Sequence, residues 1–533
     1  MSDSGVKNPP IAPVLAALGV PVFRMLWIAT LFSNVGTLMQ AVASAWLMTS
    51  LTTSTTLVGL VQTAGTLPVF LVGILAGALA DVFDRRMLLI FTQSWMLLAA
   101  GVLALVSYAG WMTPWVLLGL TFLLGLGAAF NLPAWQAMMQ DIVPREMISS
   151  AVSLNSMGFN VARSVGPAIG GLIVAASGPG MVFLLNAVSF VAVLVVLITS
   201  RIPRTPRGPY QEDVLHAMQA GIRYVLHAPR LRAPLVRAAV FVFCGGSIWT
   251  LLPLLARDVL HTTAAGYGLL LSTFGIGSIL AAIFVPRLRA HVELDRLVIL
   301  ASVLFSAVLL WLGLTGHIVG ACVATFFAGV SWIAVLVNLN VAVQTTVPAW
   351  VRGRALSCYL LIFQGGLALA GAVWGAAAGW AGTSGAFLIA AGITVLGIGL
   401  AWRFRLEAAE ALDLRPSMHW PEPVLAFDAD PERTAVLITV EYQVAAARVA
   451  EFEELMLEMR ELRLRDGARV WRLYRDADKP DRFFEFYRVD SWQEHLRQHT
   501  RMTKHDQTLE ARVLEFHEGE APPRVDHLIS VAR

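Results

Sequence analysis

Charge is what this 533-residue sequence has least of, because Asp, Glu, Lys and Arg make up only 14% of it where soluble chains carry roughly 25%. Together with 57% hydrophobic residues, that scarcity excludes a water-bathed globule for most of the chain and makes a lipid bilayer its solvent. The net charge of +3 comes with no basic stripe, so nucleic acid is not an expected partner. Cys244, Cys322 and Cys358 are the only cysteines, each inside an apolar run, which argues against a disulfide framework or a zinc site. No G-x-x-x-x-G-K-[ST] phosphate loop is present, and no other cofactor is implied. The opening MSDSGVKNPPIAPV lacks the charged start, apolar core and small-residue cleavage site of a signal peptide, so none is expected.

What is abundant is long apolar runs. Stretches able to span about 30 Å of hydrocarbon occur near 26–48, 57–80, 87–108, 115–139, 149–175 and 181–200. A second set lies near 235–256, 266–286, 297–314, 318–346, 355–380 and 385–403. The expected fold is therefore an all-α polytopic membrane protein of 12 transmembrane helices in a 6+6 arrangement. Its segments are 1–25 as an N-terminal stretch, 26–200 as a first six-helix bundle, 201–234 as a linker, and 235–404 as a second bundle. A linker at 405–429 and a small domain at 430–533 complete the chain.

The scarce charges are unevenly placed. Residues 430–533 hold 21 of the 36 acidic side chains, and an Asp or Arg at a bilayer centre costs about 2.5–3.5 kcal/mol on insertion scales, so this tail stays in water. One set of loops between the spans carries Arg85, Arg86, Arg145, Arg201, Arg204, Arg207, Arg223, Arg230, Arg232, Arg287, Arg289, Arg352 and Arg354, whereas the other carries only Arg257. Cytoplasmic loops retain basic residues, which places both termini, the linker and the tail in the cytoplasm.

The linker starts RIPRTPRGP and continues EDVLHAMQAGIRYVL, whose apolar spacing predicts an amphipathic helix along the membrane surface. Aligning 141–155 with 345–359 superposes Pro144 on Pro348, Ala151 on Ala355, Gln140 on Gln344 and Gln136 on Asn340, a repeat consistent with two related halves. In the tail, a β-branched strand at 434–443, a helix at 446–465, the alternating ARVWRLY and RFFEFYRV, a helix over 491–516 and a last strand near 525–532 give a β-α-β-β-α-β order, a ferredoxin-like α+β domain. Trp471, Tyr474, Phe484 and Phe486 are expected in its core, and His495, His499 and His505 on its solvated surface rather than around a metal.

Arg163 stands near the middle of the fifth span, where an ionisable side chain is by default a functional candidate. With no carboxylate near the centre of any span, its expected partners are amides such as Asn34 or Asn160, carbonyls, or an anion. Gly166, Pro167, Gly170 and Gly171 follow it, the glycines permitting close helix approach and the proline a bend.

The segment GALADVFDRRMLL after the second span resembles the signature of the major facilitator superfamily at Gly77, Asp81, Arg85 and Arg86, with Val82 and Asp84 departing from it. Asn160, Arg163, Gly166 and Pro167, with GPAIGG at 166–171, resemble the motif of the exporter branch, except that Ala162 replaces a glycine. With the soluble tail, the whole chain looks most like the transmembrane secretion effector group that includes enterobactin exporters. The resemblance implies a major facilitator fold in a bacterial inner membrane and export of a small siderophore-like or drug-like metabolite by alternating access. Protons as coupling ion are implied by it alone, and no catalytic residue is. It implies a gate in which Asp81 faces the start of helix eleven near Arg354 and Arg85 or Arg86 pairs with Asp141. It also implies a cavity lined from helices one, four, seven and ten, whose candidates are Asn34, Gln40, Asn131, Trp135, Gln136, Trp249, Asn338, Asn340 and Gln344. A receptor built on a degenerate transporter fold, or a transporter with a metabolite-modifying tail, remains an alternative. The tail also resembles small dimeric α+β barrels, leaving pairing through it open.

Overall fold

In the computed structural model, the described residues are 15–200, 223–224, 227–406, 413–420 and 434–531. The amphipathic helix expected over 212–226 lies almost wholly outside them. Two compact units are present: one comprises 1–209, 237–338 and 360–403, the other 210–236, 339–359 and 404–533.

The described part of the first unit is built of helices, as a bilayer demands, because helices satisfy every backbone polar group within one segment. The spanning helices, of which α7, α10 and α11 have one end assigned to the second unit, are α1 (Pro21–Leu51), α2 (Thr55–Val82), α3 (Arg85–Tyr108), α4 (Pro114–Ile142), α5 (Ile148–Ser177), α6 (Pro179–Thr199), α7 (Pro229–Leu254), α8 (Ala264–Leu288), α9 (Leu294–Leu314), α10 (Ile318–Thr346) and α11 (Arg352–Arg403). All eleven are long and apolar enough to cross a membrane. The 52 residues of α11 would run about 78 Å at 1.5 Å per residue, far beyond one span. They are broken at Gly382, whose φ of 73° is open to glycine without steric cost, so two spanning segments meet there.

Local chemistry sets the helix starts. Proline occupies the first turn of α1, α4 and α6, where its missing N–H costs nothing. Side chains of Ser54, Asp84 and Thr113 accept the N-terminal amides of α2, α3 and α4, the usual N-cap arrangement. Asp84, a departure from the superfamily signature, thus has a structural task. A single π-helical turn, Leu255–Val259, follows α7 and holds Arg257 and Asp258.

Within the second unit, β1 (Val436–Gln443), α12 (Val449–Asp466), β2 (Val470–Arg475), β3 (Arg482–Val489), α13 (Trp492–Arg501), α14 (Lys504–Leu514) and β4 (Arg524–Ile529) build an antiparallel sheet in the order β2-β3-β1-β4. The single helix expected over 491–516 is two, because Met502 turns extended and Thr503 opens a capping box with Asp506; two orphan amides are satisfied reciprocally and the chain changes direction. The inner sheet face carries Val436, Ile438, Val440, Tyr442, Phe483 and Tyr487 against Phe452, Met456 and Met459 of α12.

Two expectations fail in this domain. Trp471 is in the core, but Tyr474 is 55% exposed, and Phe484 and Phe486 are half-buried on the opposite, outer face. The residue between them, Glu485, is fully buried, accepting bonds from Tyr442 Oη (3.1 Å), Trp471 Nε1 (2.9 Å) and Arg463 Nε (3.1 Å). A buried carboxylate with three donors tolerates the interior, and strand alternation then turns both phenylalanines outward. His495, placed on the solvated surface from sequence, is 1% exposed, packed edge-on to His499 and near His527.

Candidate functional site

Arg163, on α5, places its guanidinium 5.4 Å from the ring centre of Phe274 on α8 and 5.6 Å from that of Trp249 on α7. It forms no hydrogen bond or ion pair with any described residue, and neither Asn34 nor Asn160 reaches it. The expectation of an amide partner is therefore corrected: the charge rests on aromatic faces. Cation–π contacts contribute about 0.5–1 kcal/mol, or about 2 when desolvated, which offsets part of the cost of a charge in a membrane but satisfies none of the five N–H donors. Trp249 continues into a cluster with Phe274 (5.0 Å) and Trp332 (6.3 Å), and Trp332 in turn meets Phe241, Phe305 and Phe363. The Trp332 indole N–H is buried without an acceptor. A cation and an unpaired N–H donor thus belong to one cluster of edge-on and tilted rings.

The remaining cavity candidates divide into three kinds. Asn131 accepts from Thr92 and Gln93 of α3, both at 3.1 Å, and Gln40 accepts from the Asn186 amide of α6; both tie helices within the first bundle. Asn338 donates to the Ala334 carbonyl while its Oδ1 is buried unpaired, and Gln344 donates to Asn340 at 2.6 Å. Asn34 and Asn160 are half-buried without side-chain partners among the described residues, Gln136 is exposed, and Trp135 is buried with an unpaired N–H. Of the whole set only Trp249 is brought to Arg163.

The α5 motif serves two neighbours. Methyls added at Gly166 and Gly170 would meet α1 at Leu38 Cβ (3.0 Å) and Met39 Cα (2.8 Å), whereas one at Gly171 would meet α8 at the Ala264 carbonyl (2.5 Å) and Gly268 Cα (3.0 Å). Adjacent positions on a helix point about 100° apart, so GPAIGG seats α5 against α1 and α8 at once. The second inter-bundle seam is α2 on α11: Thr55 and Thr63 donate to the carbonyls of Gly375 (2.8 Å) and Ala368 (2.7 Å), and Gly59 has backbone of Gly371 and Gly375 within reach of an added methyl. Arg257 adds a bond to the Thr49 carbonyl at the end of α1 while pairing with Asp258. All these contacts lie at or towards the charge-poor ends of the helices.

At the arginine-rich ends, Arg85 Nη1 donates to both oxygens of Asp141, at 2.9 and 2.7 Å, joining α3 to α4. Arg86 donates to the carbonyls of Leu197 and Ile198 at 2.8 and 2.9 Å, where the unsatisfied end of α6 attracts a cation. Both contacts stay within the first bundle. Gly77 has open space around it, and the side chain of Asp81 lies outside the described residues. The sequence reading missed Arg237 of α7, which is 8% exposed and paired with Asp295 at the start of α9; the pair is separated by 58 positions, so no local pattern advertises it. Among the described residues no cluster of His, Cys, Asp or Glu could hold a metal ion.

The sequence matches the profile of transmembrane secretion effectors over residues 12–533. This chain belongs to that family. The transmembrane secretion effectors are major facilitator transporters, and the chain is accordingly a multi-pass membrane transporter rather than an enzyme. It is 28% identical over 312 residues to the staphyloferrin A transporter of Staphylococcus aureus, covering 57% of this chain and 76% of that one. It is 28% identical over 343 residues to the enterobactin exporter of Shigella flexneri, covering 63% and 79%. Against the macrolide efflux protein A of Streptococcus pyogenes it is 23% identical over 269 residues, covering 49% and 65%. Among solved structures, an inward-facing, occupied bacterial homologue of the lysosomal transporter Spinster superposes with a TM-score of 0.58 at 16% identity, over 72% of this chain and 97% of that one. A POT family transporter in complex with 5-aminolevulinic acid gives 0.60 at 12% identity, over 74% and 98%. At these identities the likeness to solved structures is one of fold.

Proposed function

We propose that this secretion effector is a secondary active exporter of a small, acceptor-rich organic acid, siderophore-like or drug-like, working by alternating access between two six-helix halves. The observation that carries the reading is Arg163: a guanidinium in mid-span, bonded to no described side chain and resting on Trp249 and Phe274, two rings that also pack against Trp332, whose N–H is unpaired. Carboxylates, catecholates and hydroxamates supply the acceptors such donors lack, and planar rings suit the aromatic walls. The relatives named for staphyloferrin A and enterobactin transport support the same class. Arg163→Gln should abolish export of a carboxylate-bearing substrate with membrane yield unchanged; normal export by that variant removes Arg163 from the site.

The seams at the charge-poor ends support an arrangement closed there and opening towards the arginine-rich side, which the loop charges assign to the cytoplasm with both termini and the tail. Protons are the proposed coupling ion. Asp295, held by Arg237, is the carboxylate we assign to that coupling, so dissipating the pH gradient should stop export and Asp295→Asn should uncouple it. Arg85, Arg86 and Asp141 brace the end of the first bundle against which the gate at Asp81 closes. The tail, with its ferredoxin-like strand order, is proposed to pair with a second copy through the outer sheet face bearing Val470, Tyr474, Phe484, Phe486 and Leu528.

A further inference from the structure

The tail does not form its compact unit alone: residues 404–533 do so together with 210–236, which lead into α7, and 339–359, which contain the turn between α10 and α11. All three tail helices contribute. Arg501 of α13 lies over the Trp350 ring at 4.5 Å, while its Nη1 donates to Glu494 Oε1 (2.6 Å) and to the Asp466 carbonyl (2.9 Å). Glu494 also accepts from Arg223 at 3.3 Å, so one carboxylate bridges the linker cation and the cation on the turn's tryptophan. Tyr224, 3% exposed, meets Trp350 edge-on at 5.5 Å and lies under Arg465 of α12, also at 5.5 Å, whose guanidinium is held by Asp466 and Asp506. Outside this centre, His227 contacts Glu461 of α12 (2.9 Å) and Arg230 contacts His505 of α14 (2.7 Å).

Linker and turn are far apart in sequence, and both lead directly into spanning helices. A grip on both resists any step that separates them, and a contact made in one transport state and lost in another sets the populations of the two. We propose that residues 404–533 are a clamp on the transporter's own chain: α12, α13 and α14 hold Arg223 and Tyr224 against Trp350, and the clamp must loosen in each transport cycle, so the tail is a brake. This rests on the exporter reading for its consequence, but not for its geometry.

The test uses the full chain in lipid nanodiscs with Glu494→Lys, which turns the shared carboxylate against Arg223 and Arg501. Amide exchange in peptides covering 223–230 and 347–352 should quicken at least tenfold while β1 and β3 stay protected, and Arg223→Glu, which sets a second carboxylate against Glu494 from the linker side, should quicken exchange at 223–230 likewise. Unchanged exchange at 223–230 in either variant overturns the clamp. Should β1 and β3 also lose protection in Glu494→Lys, Trp350→Leu decides from outside the tail: faster exchange at 223–230 supports the clamp and unchanged exchange overturns it. Export by the loosened variant should rise at least twofold. Loosened exchange with unaltered export overturns the brake and leaves the exporter reading intact, whereas wild-type chain that exports no organic acid sinks that reading and leaves the exchange result standing.

Discussion

Arg163 shows how far one residue can constrain a transporter. Its two ring faces demand a flat, delocalised cation, which a lysine ammonium is not. Arg163→Lys should therefore keep the charge yet lower organic-acid export by tenfold or more, measured as efflux from loaded cells; near-normal export would mean that the charge alone suffices. His495 is the corresponding residue in the tail. Burial pushes its imidazole down to about 4, with the bond to Gln498 opposing and His527 and His499 adding to the fall, so it is neutral at pH 7. A histidine depressed on folding contributes stability that is complete above its unfolded value near 6.5 and is lost as pH falls towards 4. Replacing His495 by Gln should flatten the loss of β1 and β3 exchange protection between about pH 6.5 and 4 that the wild-type chain shows, a span worth on the order of 3 kcal/mol. An identical pH profile in the variant would count against it.

At the scale of elements, the deciding contacts are between backbones. Gly171 faces the Ala264 carbonyl and Gly268 of α8, and Gly59 faces Gly371 and Gly375 of α11, so neither seam has room for a side chain. Overpacking of this kind costs about 1–3 kcal/mol. Gly171→Val should part α5 from α8, raising labelling of a Cys placed at Ala264, on the α8 side of that seam, by a polar maleimide several-fold; labelling as slow as in wild type would mean the seam is not closed by this packing. The outer face of the tail sheet makes a second prediction. Replacing Phe486 by Glu puts charge on the exposed aromatic strip opposite the Arg463–Glu485 core without touching it, and should convert a detergent-solubilised dimer to monomer by light scattering. Equal masses for variant and wild type would sink tail pairing.

Over the whole molecule, the cycle is set by small energy differences between states. The Arg85–Asp141 pair is partly exposed, with side chains 33% and 13% accessible, and such pairs contribute up to about 1 kcal/mol, a factor of about five in a two-state ratio. Asp141→Asn should accordingly change the export rate by no more than several-fold and leave the order of substrate preference intact; a reordered preference would place Asp141 in the cargo site. A larger loss is expected from Asp295→Asn, because Arg237 would then be buried without its partner, at a cost of several kcal/mol.

The sequence alone determined what the bilayer dictates: spanning runs, a charge-rich tail, and glycines and an arginine out of place in an apolar helix. These are legible because hydrophobic length and charge act on each segment independently of the others. Tertiary structure decided which side chains meet. Arg163 turned to Trp249 and Phe274 rather than to Asn34 or Asn160, Arg237 found Asp295, and Gly171 met a different helix from Gly170. In the tail, the burial of Glu485 with Arg463 set the parity of β3 and turned Phe484 and Phe486 outward, against their hydrophobicity. A pattern along the chain records which residues avoid water, whereas pairing across it depends on the packing of separate helices and strands, and that is where the proposed cargo site and clamp lie.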